Sequence, residues 1–286
     1  MPPTRKMPAM QASADTDTQK LRELLERLPA GKVAIMSGEN ARYTLFHASL
    51  ASLIIPSDSR FDFLQGCYVV DSSNMAIARL LKHEDWIMFM GDDHVFPPWF
   101  LLNLLSKMYY HDYDILAPLC FRRSFPPSPV VFKLQGKSKN GNEILVPINL
   151  DDYPNGGIIE CDAVGSAGMI VRRRVFEAMK PPWFRLGGEM QEGEDIYFCR
   201  HAREHGFKIH VDLGIGLGHI LNNTLWPKRT DQGWGVEYDF NGVGGFFMPL
   251  EALEKAVSPE QKQGVFGRAD TQNEQGEKAV LDGVRA

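Results

Sequence analysis

Two patterns of apolar residues alternate along the chain. Short runs of consecutive apolar residues, typical of strands buried on both faces, are followed by segments in which apolar residues recur every three or four positions, as in amphipathic helices. The runs predict strands over 61–71, 86–90, 114–121 and 208–219, and over 32–40 a strand that breaks into a glycine-containing loop. The periodic segments predict helices over 17–28, 43–55, 72–82, 96–109 and 193–207. Residues 158–179 predict a strand, a turn of small residues and a strand that runs into a helix.

This alternation defines the expected fold class. Strands that alternate with helices indicate an α/β fold, and near-continuous apolar strands favour a mainly parallel sheet. We therefore expect a single α/β domain over 18–256, in which a mainly parallel sheet is flanked by helices on both faces. Residues 1–17 and 257–286 lack an apolar period and are expected to be a disordered tail and a polar, flexible tail. Asn140 and Gly141 predict a short hairpin.

The amino-acid composition is that of an ordinary globular protein. The chain is 44% hydrophobic and 23% charged, and its net charge of -5 gives no basic field that would indicate nucleic acid or an anionic membrane as a partner. No apolar run approaches the roughly 20 residues of a membrane span, and residues 1–19 lack the apolar segment of a signal peptide. The four cysteines, widely spaced, favour a reducing compartment. We expect a cytoplasmic protein.

Two carboxylates follow the most apolar predicted strand directly. In the segment WIMFMGDDHVFPPWF, Asp92 and Asp93 stand together and His94 comes next. Adjacent carboxylates repel each other unless a positive charge lies beside them, and a hard divalent cation such as Mg²⁺ or Mn²⁺ would supply it. A histidine nitrogen among the ligands favours Mn²⁺. A solvated acidic turn is the alternative.

Three further segments carry candidate chemistry. Glu194 and Asp195 stand at the start of a predicted helix, where acids serve either a functional site or the helix dipole. The small residues 164–169 form either a tight turn or a floor where a ligand approaches the backbone. His219 follows glycines at a strand exit and is either structural or a ligand. Ligands of α/β sheets bind at the carboxyl ends of the strands, where these segments are expected.

In this order, the segments resemble a glycosyltransferase of the GT-A fold, in particular the family 2-like enzymes of bacteria and phages. The resemblance covers roughly residues 32–226. Its elements are WIMFMGDDHVFPP, DILAPLCFRRSFPPSPVVF, CDAVGSAGMIVRRRVF, GEDIYFCRHAREHGF and HVDLGIGLGH. Each element is moderately specific, and their order and spacing together are much more so.

The resemblance implies a metal site for Mn²⁺ or Mg²⁺. The family's DxD-type motif falls either on Gly91-Asp92-Asp93 or on Asp92-Asp93-His94. Asp93 would ligate the metal in the first frame, and Asp92 and His94 would do so in the second. His219 matches the histidine that completes the site. Gly91 departs from the pattern, since the family places an acid there in the first frame.

The resemblance also implies roles for other residues. The x-E-D motif falls on 193–195 and makes Glu194 and Asp195 catalytic, with Asp195 as the general base of an inverting transfer. The expected contacts to the donor are Ser37, Glu39, Asn40, Asp71 and Asn74 at the first two strand exits, and Lys228 and Arg229 from a loop beyond His219. The expected contacts to the acceptor are Gly165, Ser166 and Trp183, although core packing is an equal alternative for Trp183.

The predicted function is transfer of a sugar from a nucleotide-diphosphate sugar, with a UDP-sugar favoured, to a hydroxyl acceptor. A metal-dependent nucleotidyltransferase and a non-catalytic nucleotide-sugar binder are the alternatives. The acceptor stays open among glycans, lipid-linked sugars, proteins and, for a phage enzyme, hydroxymethylated bases in DNA. Nucleic acid is therefore expected only as an acceptor.

Overall fold

The chain is described here from a computed structural model. The structure describes residues 10–37, 43–66, 68–124, 127–139, 141–186, 192–240 and 244–252, with side chains from residue 19 onwards. The described chain divides into two compact units. The first runs to Ile220 without 124–126, and the second begins at Leu221 and includes 124–126. The predicted tail over 257–286 lies outside the described residues, and the predicted boundaries at 18 and 256 stay predictions.

Six helices and eleven strands make up the described part of the first unit. The helices are α1 (Met10–Arg27), α2 (Thr44–Ser52), α3 (Val69–Ala78), α4 (Phe100–Tyr110), α5 (Arg173–Ala178) and α6 (Glu194–Glu204). The strands are β1 (Gly31–Ser37), β2 (Arg60–Gln65), β3 (Trp86–Gly91), β4 (His94–Val95), β5 (Ile115–Cys120), β6 (Val131–Lys137), β7 (Glu143–Pro147), β8 (Ile158–Cys161), β9 (Ala163–Val164), β10 (Ile170–Arg172) and β11 (Ile209–His219). No described helix is long and apolar enough to cross a membrane.

The central sheet confirms the predicted fold class for this unit. Its strand order is β2-β1-β3-β10-β5-β11-β4, with β8 also paired to β11. Strands β2, β1, β3, β5 and β11 run in one direction, whereas β10, β4 and β8 run against it. The unit is therefore an α/β domain in which a mainly parallel mixed sheet is flanked by helices.

Hydrophobic clusters cover both faces of this sheet. The side chains of β3 from Trp86 to Met90 are fully buried and alternate between two clusters: Ile87 and Phe89 belong to one, and Trp86, Met88 and Met90 to the other. Burial on both faces is why this strand is a continuous apolar run rather than an alternating one. The run ends at Gly91, where the sheet meets solvent.

The second strand is shorter than its sequence predicts. β2 ends at Gln65, and Gly66, with a φ of 73°, follows it. The apolar residues after Gly66 begin helix α3 instead of extending the strand, so the prediction of a strand ending near Asp71 is wrong. An apolar run alone does not distinguish a strand from the buried start of a helix. Here the boundary is Gly66, whose left-handed backbone conformation ends the strand.

The remaining strands form two small antiparallel sheets. In the first unit, β6 and β7 form the hairpin that Asn140-Gly141 predicts, and β9 pairs with β6. The second unit contains a three-stranded sheet of β12 (Thr224–Thr230), β13 (Gly233–Asp239) and β14 (Gly245–Pro249), in the order β12-β13-β14. The sequence pattern gives no prediction for that sheet.

Candidate functional site

The carboxyl ends of the parallel strands open into a cavity of about 520 Å³. Ser37 ends β1, Gly91 ends β3 and His219 ends β11. The cavity is lined by Met36, Ser37, Tyr68, Val69, Gly91, Asp92, Asp93, His94, Arg123, Ser166, Ala167, Glu194 and His219. Its size suits a small-molecule ligand or cofactor. Of the residues predicted from the sequence, this cavity brings together Ser37, the three consecutive residues 92–94, Ser166, Glu194 and His219.

Asp93 is the centre of the charged network. One carboxylate oxygen, Oδ1, lies 2.9 Å from His94 Nδ1. The other, Oδ2, lies 3.0 Å from Arg123 Nη2 and 3.4 Å from His219 Nε2. Three cationic or potentially cationic groups thus surround one carboxylate at the cavity wall.

The network shifts the pKa of its members in the directions that charge predicts. Burial acts to raise the pKa of Asp93, but hydrogen bonds from His219 and His94 outweigh it and hold that pKa well below its usual range. Burial acts to lower the pKa of His219, but the hydrogen bond to Asp93 outweighs it and raises the pKa to about 9. The pKa of His94 is also raised, against its burial, by the same carboxylate. Asp93 is therefore ionised at neutral pH.

The two histidines are held side by side by the sheet. β4 pairs antiparallel with β11 so that His94 lies opposite His219, and the two rings stack with centroids 4.5 Å apart. His219 Nδ1 lies 2.9 Å from the backbone carbonyl of Phe121 and donates a hydrogen to it. Nε2, the other ring nitrogen, therefore faces Asp93 and is the one that would bind a metal after losing its proton.

Cys120 and Arg123 are functional candidates that the sequence reasoning missed. Cys120 ends β5, next to β11, and burial acts to raise the pKa of its thiol, but the neighbouring imidazoles of His219 and His94 outweigh it and lower the pKa to about 7. Arg123, three residues on, contacts Asp93. Both belong to a predicted strand and its exit, so the rule that ligands bind at the carboxyl ends of strands could have found them.

Gly91 has a steric reason to be glycine. A Cβ added at this position would lie 2.9 Å from Asp93 Oδ1 and 3.3 Å from the ring of His94. The hydrogen-bonded pair of Asp93 and His94 occupies the space that a side chain would need. The Asp93–His94 pair therefore leaves little room for a side chain at position 91.

The side chain of Asp92 is hydrogen-bonded to the last residue of strand β1. Ser37 Oγ donates a hydrogen bond of 2.7 Å to Asp92 Oδ2. Both side chains line the cavity. The two adjacent carboxylates thus have different partners, a hydroxyl for Asp92 and a set of cationic groups for Asp93, and this difference predicts different roles for them.

Glu194 and Asp195 begin helix α6, and Asp195 is not among the residues that line the cavity. Glu194 lines the cavity, and the backbone N–H of Ile196 donates to Asp195 Oδ1 over 2.8 Å. Burial and the charge of Glu194 raise the pKa of Asp195 to about 6. Gly165, which precedes cavity residue Ser166, lies beside it: a Cβ on Gly165 would be 3.8 Å from Asp195 Oδ2. A carboxyl with this pKa is suited to accept a proton near neutral pH.

Other predicted residues lie in structural contacts. Asn74 Oδ1 accepts hydrogen bonds from the backbone N–H groups of Trp183 and Phe184, and its Nδ2 donates to the Phe184 carbonyl. The indole N–H of Trp183 donates to the Phe176 carbonyl over 2.9 Å, and its ring packs against the core. Asp71 is exposed in the first turn of α3. Their predicted contacts to donor or acceptor stay predictions.

The last group of predicted donor contacts lies elsewhere in the chain. Glu39 and Asn40 fall outside the described residues. Lys228 and Arg229 belong to strand β12 of the second unit, where Lys228 Nζ lies 2.7 Å from Glu237 Oε1. The sequence places these two residues in a loop, whereas the structure has them within a strand. Their role toward a donor also stays a prediction.

The donor atoms at the cavity fit a divalent cation. Asp93 supplies an ionised carboxylate, and His94 and His219 supply imidazoles. His94 is 4% exposed, and its Nε2 has no hydrogen-bond partner among the described residues. Such a buried, unpaired nitrogen is costly unless something binds it. Carboxylate and imidazole together suit a first-row transition ion better than Mg²⁺.

Comparisons with known proteins give limited results. No protein-family model and no curated protein matches the chain. Similar solved structures include A197 from STIV, with a TM-score of 0.47 and 16% identity over 67% of this chain and 86% of that chain. They also include GalNAc-T7 with UDP, GalNAc and Mn²⁺, with a TM-score of 0.48 and 11% identity over 68% of this chain and 44% of GalNAc-T7. At this level of similarity, neither likeness carries an argument about function.

Proposed function

We propose that this chain is a glycosyltransferase of the GT-A type, which moves a sugar from a nucleotide-diphosphate sugar to a hydroxyl acceptor with the help of a divalent cation. One observation carries the proposal. The charged cluster around Asp93 and Glu194, the first residue of helix α6, line the same cavity, and the pKa of Asp195 next to Glu194 is raised to about 6.

The cluster around Asp93 and the start of α6 match the two requirements of sugar transfer. The leaving nucleoside diphosphate gains negative charge as its bond to the sugar breaks, and the attacking hydroxyl must lose a proton. Asp93, His219 and His94 would hold the cation, which stabilises the charge on the diphosphate when bound. Arg123, which contacts Asp93, adds a guanidinium suited to phosphate oxygens.

The bond changes assign a role to Asp195. The acceptor oxygen forms a bond to the anomeric carbon of the donor sugar, and its proton passes to the Asp195 carboxylate. The bond between the anomeric carbon and the phosphate oxygen breaks, and the nucleoside diphosphate leaves with that electron pair. A single displacement of this kind inverts the anomeric configuration. Asp195 is half-buried and close to the Gly165 backbone, which favours a base partly shielded from water.

Donor recognition is proposed for the part of the cavity formed by β1 and α3. Ser37 and Asp92 form a hydrogen-bonded pair that offers polar atoms to a ribose or sugar hydroxyl. Tyr68, 86% exposed at the start of α3, lines the cavity and presents an aromatic face suited to a nucleobase. A UDP-sugar is the favoured donor. The acceptor is proposed only as a hydroxyl compound.

A nucleotide-release assay tests the proposal. The protein is incubated with UDP-, GDP- and TDP-sugars, a mixture of acceptors and Mn²⁺, and released nucleotide is measured with and without chelator. We expect release from one donor class that chelator abolishes, and a loss of at least about 100-fold in Asp93→Asn, because a carboxylate that binds the cation is replaced by a neutral amide.

The control is Asp152→Asn, which makes the same change at an exposed acid in a 3-10 turn and should release nucleotide at the wild-type rate. Release that chelator and Asp93→Asn leave unchanged would contradict the cation site. Binding of a nucleotide sugar without any release would contradict the transferase and favour a non-catalytic binder.

A further inference from the structure

A second set of donor atoms surrounds the histidines of the site. One ligand atom each from His94, Cys120 and His219 lies within 4.8 Å of the other two. Cys120 is 7% exposed and its thiol is free. The cluster therefore combines two imidazoles with a thiol, which is a donor set for a borderline-soft metal rather than for Mg²⁺.

Three strands bring these residues together. Cys120 is the last residue of β5 and lies opposite Leu217 in the parallel pairing with β11. His219 lies two residues further along β11, and the antiparallel pairing with β4 sets His94 opposite it. The cluster is therefore built into hydrogen-bonded strands rather than into a loop, and a site on such elements is held rigidly.

The hydrogen bonds around the cluster prepare both rings for a metal. His94 Nδ1 donates to Asp93 Oδ1, and His219 Nδ1 donates to the Phe121 carbonyl. Each bond keeps a proton on Nδ1, so Nε2 is the nitrogen that gives up its proton to a metal, and this is the arrangement that carboxylates and carbonyls impose on metal-binding histidines. The buried Nε2 of His94 has no hydrogen-bond partner among the described residues.

We propose that His94, Cys120 and His219 form a metal site with a thiolate ligand, selective for Zn²⁺ or Co²⁺ over Mg²⁺. Asp93, whose Oδ1 is hydrogen-bonded to His94, then offers its other carboxylate oxygen from the cavity side. A five-coordinate ion on these four residues keeps a position for an exogenous oxygen, as catalytic rather than structural zinc sites do. His94 and His219 line the cavity, which gives the ion a path of entry.

This inference names the metal of the proposed function, and it rests on that function only for what the metal does. A site with carboxylates and one histidine would favour Mn²⁺ or Mg²⁺, whereas sulfur raises the affinity for Zn²⁺ and Co²⁺. Binding of the metal can be measured without any nucleotide sugar. The experiment therefore separates the site from the reaction.

The test is a titration of metal-free protein with Co²⁺, followed by its visible and near-ultraviolet absorption, and then displacement by Zn²⁺. We expect one equivalent to bind with a sulfur-to-cobalt charge-transfer band and the visible bands of a four- or five-coordinate ion. Cys120→Ser should lose the charge-transfer band and bind Zn²⁺ at least about 10-fold more weakly, since a ligand matters no less than the groups that orient it.

Cys161→Ser is the matched control, because Cys161 is also a buried, free cysteine at a strand end but lies outside the cluster. It should keep the charge-transfer band and the wild-type affinity. His94→Gln should weaken Co²⁺ binding while the band of the remaining thiolate complex persists at higher metal concentration.

Two results would overturn the site. They are a bound Co²⁺ without a charge-transfer band, and equal Zn²⁺ affinity in wild type and Cys120→Ser. If instead the band appears and no nucleotide sugar is turned over, the metal site stands and the transferase falls. If Mn²⁺ supports turnover but no band appears, the transferase stands and the thiolate ligand falls.

Discussion

At the scale of single residues, Asp195 has the most informative environment. Burial and the neighbouring Glu194 raise its pKa to about 6 from an ordinary value of 3.8. The raised pKa has two consequences: the carboxylate is a better base near neutral pH, and its ionisation costs folding free energy. One substitution tests both.

The substitution is Asp195→Asn, which keeps the oxygen that accepts from the Ile196 backbone. The folded state binds the Asp195 proton more tightly than the unfolded chain does, so the stabilisation is complete below pH 3.8 and is lost as the pH rises through about 6. Above that pH, Asp195→Asn should raise the free energy of unfolding by about 1–3 kcal/mol. Urea unfolding at pH 4 and pH 7.5 measures this, with Asp152→Asn as the control.

The same variant separates binding from chemistry. Transfer should fall at least about 100-fold, while the dissociation constant for the donor changes little, because the base acts on the acceptor. In the wild type, the pH profile of transfer should fall on the acid side with a midpoint near 6. Unchanged transfer in Asp195→Asn would remove this residue as the base, whatever its effect on stability.

At the scale of elements, the end of β3 decides the geometry of the site. Gly91 closes the strand, and the Asp93–His94 pair occupies the space beside it. A methyl group at Gly91 must displace flexible side-chain atoms rather than backbone. We therefore expect Gly91→Ala to weaken metal binding about 10-fold, in the range of losses seen when groups that orient metal ligands are changed.

Gly216→Ala on β11 is the control for this prediction, because a Cβ there meets nothing within 4 Å. It should leave metal binding unchanged. Both variants should unfold within about 1 kcal/mol of wild type, as expected for changes that create no cavity or backbone strain. Wild-type metal affinity in Gly91→Ala would show that the positions of Asp93 and His94 do not limit binding.

Elements also show how far the sequence predicts this fold. The continuous apolar run of 86–90 predicts β3 and its burial, because a strand covered on both faces has no polar side to alternate with. The run before Asp71 is misassigned, because apolar content alone does not show that Gly66 ends β2. Local patterns predict such elements well inside their bounds and poorly at their ends.

At the scale of the whole molecule, the residues of the site that lie at the ends of predicted strands were predictable. Asp92, Asp93 and His219 follow strands directly, and parallel strands end at one edge. Cys120 and Arg123 also lie at a strand exit and could have been candidates, but their contacts with His219 and Asp93 depend on which strands become neighbours. β10 runs antiparallel between β3 and β5, and no local pattern encodes that insertion.

The proposed function requires that the protein cleave the bond between a sugar and a nucleoside diphosphate. The most direct measurement is identification of the phosphorus-containing products from the donor that the protein turns over, by ³¹P NMR and mass spectrometry. A glycosyltransferase yields the intact nucleoside diphosphate and a glycosylated acceptor, and this is the result we predict. A nucleoside monophosphate with a sugar phosphate would show cleavage between the phosphates, as in a nucleotidyltransferase, and would contradict the proposed function.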